Sequence, residues 1–188
     1  MPQLRRLAAT TALVAVLLLV FTSVASAHRG PNPDRFGPHG FDSLWIGSNG
    51  DDKYEAAAGN RDKIIGRAGN DYLDGGDKRD LIRGNRGKDS ILGGPGSDRI
   101  EGGPGQDRIA GGAGPDLILG GFGPDGINGG RGHDLIKSGP GADRIIATDG
   151  VRDWIFCGRG KDTVRADKLD RVHKSCEDVT RVALDDAE

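Results

Sequence analysis

A branched aliphatic residue stands at every ninth position along the middle of the chain: Leu73, Ile82, Ile91, Ile100, Ile109, Ile118, Ile127, Ile136 and Ile145. The residues beside it are commonly polar, as in Arg99-Ile100-Glu101. That polar–apolar–polar triplet predicts a very short strand with its middle side chain turned inward. Two residues before each aliphatic stands an aspartate: Asp71, Asp80, Asp89, Asp98, Asp107, Asp116, Asp125, Asp134 and Asp143. Glycine fills most of the first, second and fourth places, and the five units opening at Gly93, Gly102, Gly111, Gly120 and Gly129 all read G-G-x-G-x-D-x-I-x. Glycine in those places supplies positive φ or lets two backbones approach closely, so each unit reads as a turn followed by a strand. A fixed period of this kind means one small unit stacked on itself.

Two units make a coil of turn, strand, turn, strand, climbing one strand spacing of ~4.8 Å for each eighteen residues. The aliphatics of odd and even units then face each other in a core two side chains wide. The aspartates collect on two opposite edges, Asp71, Asp89, Asp107, Asp125 and Asp143 on one and Asp80, Asp98, Asp116 and Asp134 on the other. Stacked carboxylates about 5 Å apart repel by roughly 1 kcal/mol per pair in water, and by several times that in a drier site. So thin a core offers only ~1.5–3 kcal/mol per buried isoleucine against the ordering of a whole unit. A divalent cation between adjacent turns resolves both problems. Its ligands would all be oxygen, carboxylates and turn carbonyls, which is calcium chemistry rather than zinc chemistry.

Composition limits the alternatives. The chain has 33 glycines in 188 residues and only 5% aromatic residues, too few large apolar groups for an ordinary globular core. It must stay disordered or draw stability from elsewhere. Collagen is excluded because glycine does not recur at every third position. A flexible linker has no reason to keep an isoleucine at every ninth residue.

The unit resembles the RTX, or haemolysin-type, calcium-binding nonapeptide repeat, G-G-x-G-x-D-x-U-x. The resemblance implies an all-β parallel β-roll, a β-solenoid, with calcium held in the turns by the sixth-position aspartate and main-chain carbonyls. Carried over residue by residue, it assigns the metal to Asp98, Asp107, Asp116, Asp125 and Asp134 in the strict units. Asp71, Asp89 and Asp143 follow in units that keep the fourth-position glycine, and Asp80 in one where Lys78 replaces it. Slipped or partial units add Asp52, Asp62, Asp153 and Asp162, and extend the roll to residues 37–165. The departures are basic. Arg79, Lys88 and His133 precede the aspartate in their units, Arg99, Arg108 and Arg144 follow it, and between Gly66 and Ile146 twelve acidic residues face eleven basic ones. A roll in which some sites are empty and Arg–Asp pairs replace the metal is therefore the competing reading.

The N-terminus reads as a secretory signal peptide, residues 1–27: Arg5 and Arg6, an apolar run from Leu7 to Val24, then Ala25-Ser26-Ala27. An uncleaved anchor is the alternative, since such a run could just span a bilayer at ~20 residues. Cleavage leaves a secreted, extracellular chain with 24 basic and 28 acidic residues, interleaved, which is no nucleic-acid footprint. No later segment is apolar enough to cross a membrane, so after signal cleavage the chain is expected to be soluble with no membrane partner. In an exported chain Cys157 and Cys176 are expected to form a disulfide that pins a C-terminal cap, residues 166–188, onto the last coil. Residues 28–36 read as a flexible N-terminal segment, and Phe41, Leu44, Trp45 and Ile46 as the cap of the first coil. No H-E-x-x-H or G-x-S-x-G is present, and the histidines lack ligand spacing, so no enzyme is expected. The sequence points to a monomeric calcium-binding roll that folds on meeting extracellular calcium. An adhesin or scaffold binding cell-surface glycan or protein through its outer faces is the alternative.

Overall fold

The computed structural model describes residues 41–183. The expected signal peptide, the segment 28–36, the first residues of the expected roll and the last five residues lie outside the described residues.

Among the described residues sixteen strands follow one another with no helix between them: β1 (Ser43–Ile46), β2 (Lys53–Glu55), β3 (Asp62–Ala68), β4 (Tyr72–Asp74), β5 (Leu81–Arg86), β6 (Ser90–Pro95), β7 (Arg99–Pro104), β8 (Arg108–Ala113), β9 (Leu117–Phe122), β10 (Gly126–Arg131), β11 (Leu135–Lys137), β12 (Arg144–Ala147), β13 (Trp154–Phe156), β14 (Thr163–Asp167), β15 (Arg171–Val172) and β16 (Asp178–Val182). Odd strands form one eight-stranded sheet and even strands another, with each strand pairing the next but one. All pairings are parallel, so the chain winds as a β-roll of about eight coils. In the central coils Leu81 pairs with Arg99 and Arg99 with Leu117, eighteen residues per coil. An extra residue enters where the units slip, so Ser43 pairs with Asp62 and Leu135 with Trp154, nineteen apart. Pairing continues past residue 165 through β15 and β16, where the last coil shortens and Thr163 meets Asp178.

Period-two alternation places one aliphatic per strand between the sheets. Ile64, Leu73, Ile82, Ile91, Ile100, Ile118, Ile136, Ile145 and Ile155 are fully buried there, continuing to Val164. Trp45 from β1 and Tyr54 from β2 stack at 4.8 Å over the first coil, while Leu44 and Ile46 point outward. Of the residues read as a first cap, it is Trp45 that covers the core. At the other end Val172 and Val179 pack on the core, and the Cys157–Cys176 disulfide forms as expected.

Stacking at strand spacing leaves no room for a side chain in the turns. A Cβ on Gly105 would stand 1.5 Å from the Gly87 carbonyl oxygen of the preceding coil. Gly112, in the second place of its unit, combines a φ of +115° with a Gly94 carbonyl oxygen 2.1 Å from where its Cβ would be. The backbone holds this shape where the sequence departs from glycine: Arg67, Lys78 and Asn85 take φ of 86°, 84° and 73°. The coil beneath fixes the turn, and the residue type adapts to it at a cost of about 1–2 kcal/mol for a left-handed L-residue.

Gly105→Ala should therefore destabilise the folded roll by about 3 kcal/mol or more, since backbone rather than a flexible side chain must move. Gly126→Ala, whose Cβ would meet nothing nearer than 3.9 Å, should melt close to the parent. Equal melting temperatures for the two variants would contradict the coil spacing.

Candidate metal centre

The sixth residue of each unit lies two places before the core aliphatic, on the same inward side of the chain, at the corner where turn becomes strand. Its carboxylate is therefore buried against the turn of the adjacent coil. Asp71, Asp80, Asp89, Asp98, Asp107, Asp116, Asp125, Asp134 and Asp143 are at most 3% exposed, as are Asp62, Asp153 and Asp162. They stack in two ladders. On one edge the backbone N–H of Asp80 donates to Asp98 Oδ1 at 2.8 Å, and the same bond links Asp62 to Asp80, Asp98 to Asp116, Asp116 to Asp134 and Asp134 to Asp153. On the other, Asp107 N–H donates to Asp125 Oδ1 at 2.9 Å, within a run from Asp52 through Asp71, Asp89, Asp107, Asp125 and Asp143 to Asp162. Every aspartate singled out in the sequence lies in one of these ladders.

The ladder carboxylates from Asp62 to Asp162 each use one oxygen and leave the other bare, whereas at the first rung Asp52 Oδ2 accepts from the Ser48 backbone N–H and hydroxyl. Oδ2 of twelve aspartates, Asp62 to Asp162, is buried without a hydrogen-bond partner. An unsatisfied buried carboxylate oxygen is costly, and a native fold needs a reason to keep so many. Burial pushes these carboxyls upward from the ordinary 3.8, to about 8 at Asp80 and Asp153, about 7 at Asp116 and Asp125, and about 6 at Asp71, Asp98 and Asp107. The backbone N–H donors oppose the rise, and neighbouring carboxylates in the same ladder add to it at Asp80, Asp116 and Asp125.

The turn offers main-chain oxygen at the same place. A Cβ on Gly93 would stand 2.7 Å from Asp98 Oδ2 and 2.3 Å from the Gly111 carbonyl oxygen of the next coil; Gly102, Gly111 and Gly120 repeat the arrangement. The first-position glycine thus leaves a small space faced by a free carboxylate oxygen and a carbonyl. Among the described residues no three acidic, histidine or cysteine side chains converge on a point, so a cation here would take mixed carboxylate and carbonyl oxygen. Such hard donors suit calcium and do not suit zinc or copper.

Among the described residues, no Arg–Asp pair takes the metal's place on a ladder aspartate. The ion pairs among the described residues are Lys53–Glu55, Arg61–Asp42 and Arg83–Glu101, none of them with a ladder aspartate. Alternation is the cause: residues on either side of the inward aspartate point away from it, and Arg99, Arg108 and Arg144 are exposed.

The family model for the RTX calcium-binding nonapeptide repeat matches residues 46–82, 65–100, 74–109, 101–136 and 119–151. The chain belongs to this family. The matched region runs from the strand of the first coil to beyond Asp143, the part of the roll that carries most of both ladders. No curated protein and no solved structure matches the chain. Calcium is the ion of RTX repeats, and the family's rolls are generally structural or binding elements rather than catalysts.

The RTX ladders run further than the sequence reading took them. Asp153 N–H donates to Asp170 Oδ1 at 2.8 Å, and Asp162 N–H donates to Glu177 Oε2 at 3.0 Å. Asp170-Arg171-Val172 and Glu177-Asp178-Val179 keep the acid–x–aliphatic spacing without the glycines. That spacing is the signal that could have found them. Glu177 follows Cys176 directly, so the disulfide fixes the carboxylate that ends one ladder.

The raised carboxyl groups give the metal-free roll a definite pH dependence. Folded values above the unfolded value mean that the folded chain binds protons more tightly, so stability is greatest below about pH 4 and is lost as pH rises through 6 to 8. In metal-free buffer the roll should melt at a higher temperature at pH 5 than at pH 8. A melting temperature that is unchanged or lower at pH 5 would show that the ladder carboxylates are not held desolvated without metal.

Proposed function

We propose that this chain is a secreted calcium-binding β-roll, with Asp71, Asp80, Asp89, Asp98, Asp107, Asp116, Asp125, Asp134 and Asp143, and in the outer coils Asp52, Asp62, Asp153 and Asp162, as its carboxylate ligands. The observation that carries the reading is the pair of unbroken ladders whose buried Oδ2 atoms lack partners. Calcium bound in the turns would supply positive charge between stacked carboxylates. The aspartate Oδ1 atoms hold the coils in register through backbone N–H groups, while the Oδ2 atoms and glycine carbonyls remain as donors. Desolvated like charges oppose folding at neutral pH, so folding and calcium binding are coupled. A chain of this kind stays loose where calcium is scarce and orders outside the cell, where sites of ~10⁻⁴–10⁻³ M fill.

The leader read at residues 1–27 supports export, and a buried disulfide suits an oxidising compartment. The chain is proposed as a non-enzymatic monomer. A second reading, an extracellular scaffold working through the roll's outer faces, is favoured by the unequal chemistry of those faces described below.

Far-ultraviolet circular dichroism of the chelator-treated protein, titrated with calcium, should show a cooperative gain of β signal at millimolar calcium that magnesium does not match. Asp107→Asn/Asp125→Asn, neighbours in one ladder, should raise the calcium midpoint by about fivefold or more, since each change removes a charged ligand. The same pair should fold no less readily than the parent in metal-free buffer at pH 8, because it removes buried charge. An unchanged calcium midpoint would remove these two residues from the ligand set.

A further inference from the structure

The two outer faces of the roll carry different chemistry. Residues on either side of each core side chain point outward, and parallel register stacks them in two rows per sheet. On the odd-numbered sheet the rows run from Leu44 and Ile46 in β1 to Arg171 and His173 at β15. Those sixteen positions hold nine apolar side chains, His173, the five cations Lys63, Arg83, Arg99, Lys137 and Arg171, and a single acid, Glu101. Five cations and one acid leave a formal charge of +4. The even-numbered sheet presents four cations, Lys53, Arg108, Arg144 and Arg165, against three acids, Glu55, Asp74 and Asp178, a formal +1. Its large apolar outward residues are Tyr72, Leu92 and Ile146.

The apolar groups of the first face form two clusters, Leu44, Ile46, Ile65 and Leu81 towards the N-terminal end and Leu117, Leu119, Leu135, Trp154 and Phe156 towards the other, separated by Arg83, Arg99 and Glu101. At its C-terminal end a shallow groove of about 710 Å³ is lined by Leu135, Lys137, Trp154, Phe156 and His173 among others. Cations stand beside its rings, Lys137 Nζ 5.9 Å from the centre of Phe156 and the Arg171 guanidinium 5.4 Å from that of Trp154.

We propose that this face docks the folded roll on the surface of an anionic lipid bilayer. The charge selects an anionic partner, since each Lys or Arg near such a surface is attracted to it. It also disfavours a second copy, which would set like charge against like. The sixteen outward positions include no Asn, Gln, Ser or Thr and a single carboxylate, so their polar groups are mostly cations that favour phosphate over the hydroxyls of a neutral glycan. Leucine, isoleucine, tryptophan and phenylalanine suit the boundary between headgroups and acyl chains. Eight parallel strands give a face about 34 Å long. The contact proposed is a peripheral one, and among the described residues no helix is long and apolar enough to cross a membrane. The sequence finds no such partner because the outward residues of neighbouring strands lie eighteen or so apart, and the face exists only in the coil. The proposal goes beyond the calcium reading and asks of it only a folded roll.

The test is co-sedimentation of the calcium-loaded protein with vesicles of phosphatidylglycerol and phosphatidylcholine, or of phosphatidylcholine alone. Arg99→Glu/Lys137→Glu/Arg171→Glu on this face is compared with Arg108→Glu/Arg144→Glu/Arg165→Glu on the other, which changes the formal charge equally. Circular dichroism in calcium establishes that each variant is folded. The parent should bind the anionic vesicles and not the neutral ones. The first variant should lose about tenfold or more in binding, and the second should stay within about twofold. If the first triple variant does not fold, Lys137→Glu alone, outward and exposed, carries the comparison with a loss of about threefold. Absence of binding to anionic vesicles, equal binding to neutral ones, or equal loss in both variants overturns the proposal. So does retention on immobilised polygalacturonate, or a dimer in sedimentation velocity, without vesicle binding.

Discussion

Each central coil sets two carboxylates almost directly over those of the coil below, with one oxygen of each left unpaired inside the fold. Most features of the roll are bound to that arrangement. The Oδ1 atom accepts the backbone N–H of the aspartate one coil earlier, so the acid serves as a clamp of register before it serves as anything else. The Oδ2 atom has no donor, and the space beside it, where a Cβ on the first-position glycine would stand, is bordered by a carbonyl of the next coil and the core isoleucine. Oxygen facing oxygen in a dry space is unfavourable unless a proton or a cation lies between them. The upward displacement of the carboxyl groups and the family's use of calcium are two responses to the same geometry.

The glycines follow from the same constraint. A β-roll with coils at strand spacing brings turn backbone onto turn backbone, as at Gly105 and Gly87. Any side chain there would force the coils apart and break the ladders. The core is correspondingly slight, one aliphatic per strand with no second layer. This explains why the ends need their own devices: Trp45 on Tyr54 at one, and a disulfide with two valines at the other. In a solenoid each coil contacts only its neighbours, so no wider packing supports a weak edge and the terminal coils are secured one at a time.

Much of this was legible because the period is strict. Two side chains per unit, the aspartate and the aliphatic, fix both the inward face and the edge, and the nine phased aspartates all fall where the spacing puts them. Three things were harder to read. The C-terminal rungs at Asp170 and Glu177 keep the spacing but lose the glycines, so the motif fades before the pairing does. The arginines beside the aspartates look like partners in sequence, yet alternation turns them to the opposite side of the strand. Lys78 replaces the fourth-position glycine of its unit, yet Asp80 is as buried as its neighbours, because the stacked turn imposes the left-handed backbone on lysine as well. In each case the coil, not the single unit, decides the outcome, and a coil spans two units with a third setting its neighbour.

This division has a consequence for how such a chain can evolve and be used. Positions one, two, four, six and eight of each unit are committed to turn, ladder and core, and a change there is felt by the coil on either side. Positions seven and nine point outward and carry no structural duty beyond fitting a strand. The chain can therefore place charge and apolar surface on its faces almost freely, one residue per coil, without touching the ladders. The two faces of this roll bear that out, since the same repeat yields a cationic, aliphatic face on one sheet and a nearly neutral, polar one on the other. A repeat with interchangeable outward positions would show no such segregation unless the odd and even units had diverged separately. Because only alternate units share a sheet, that divergence is the expected mark of a face with its own task.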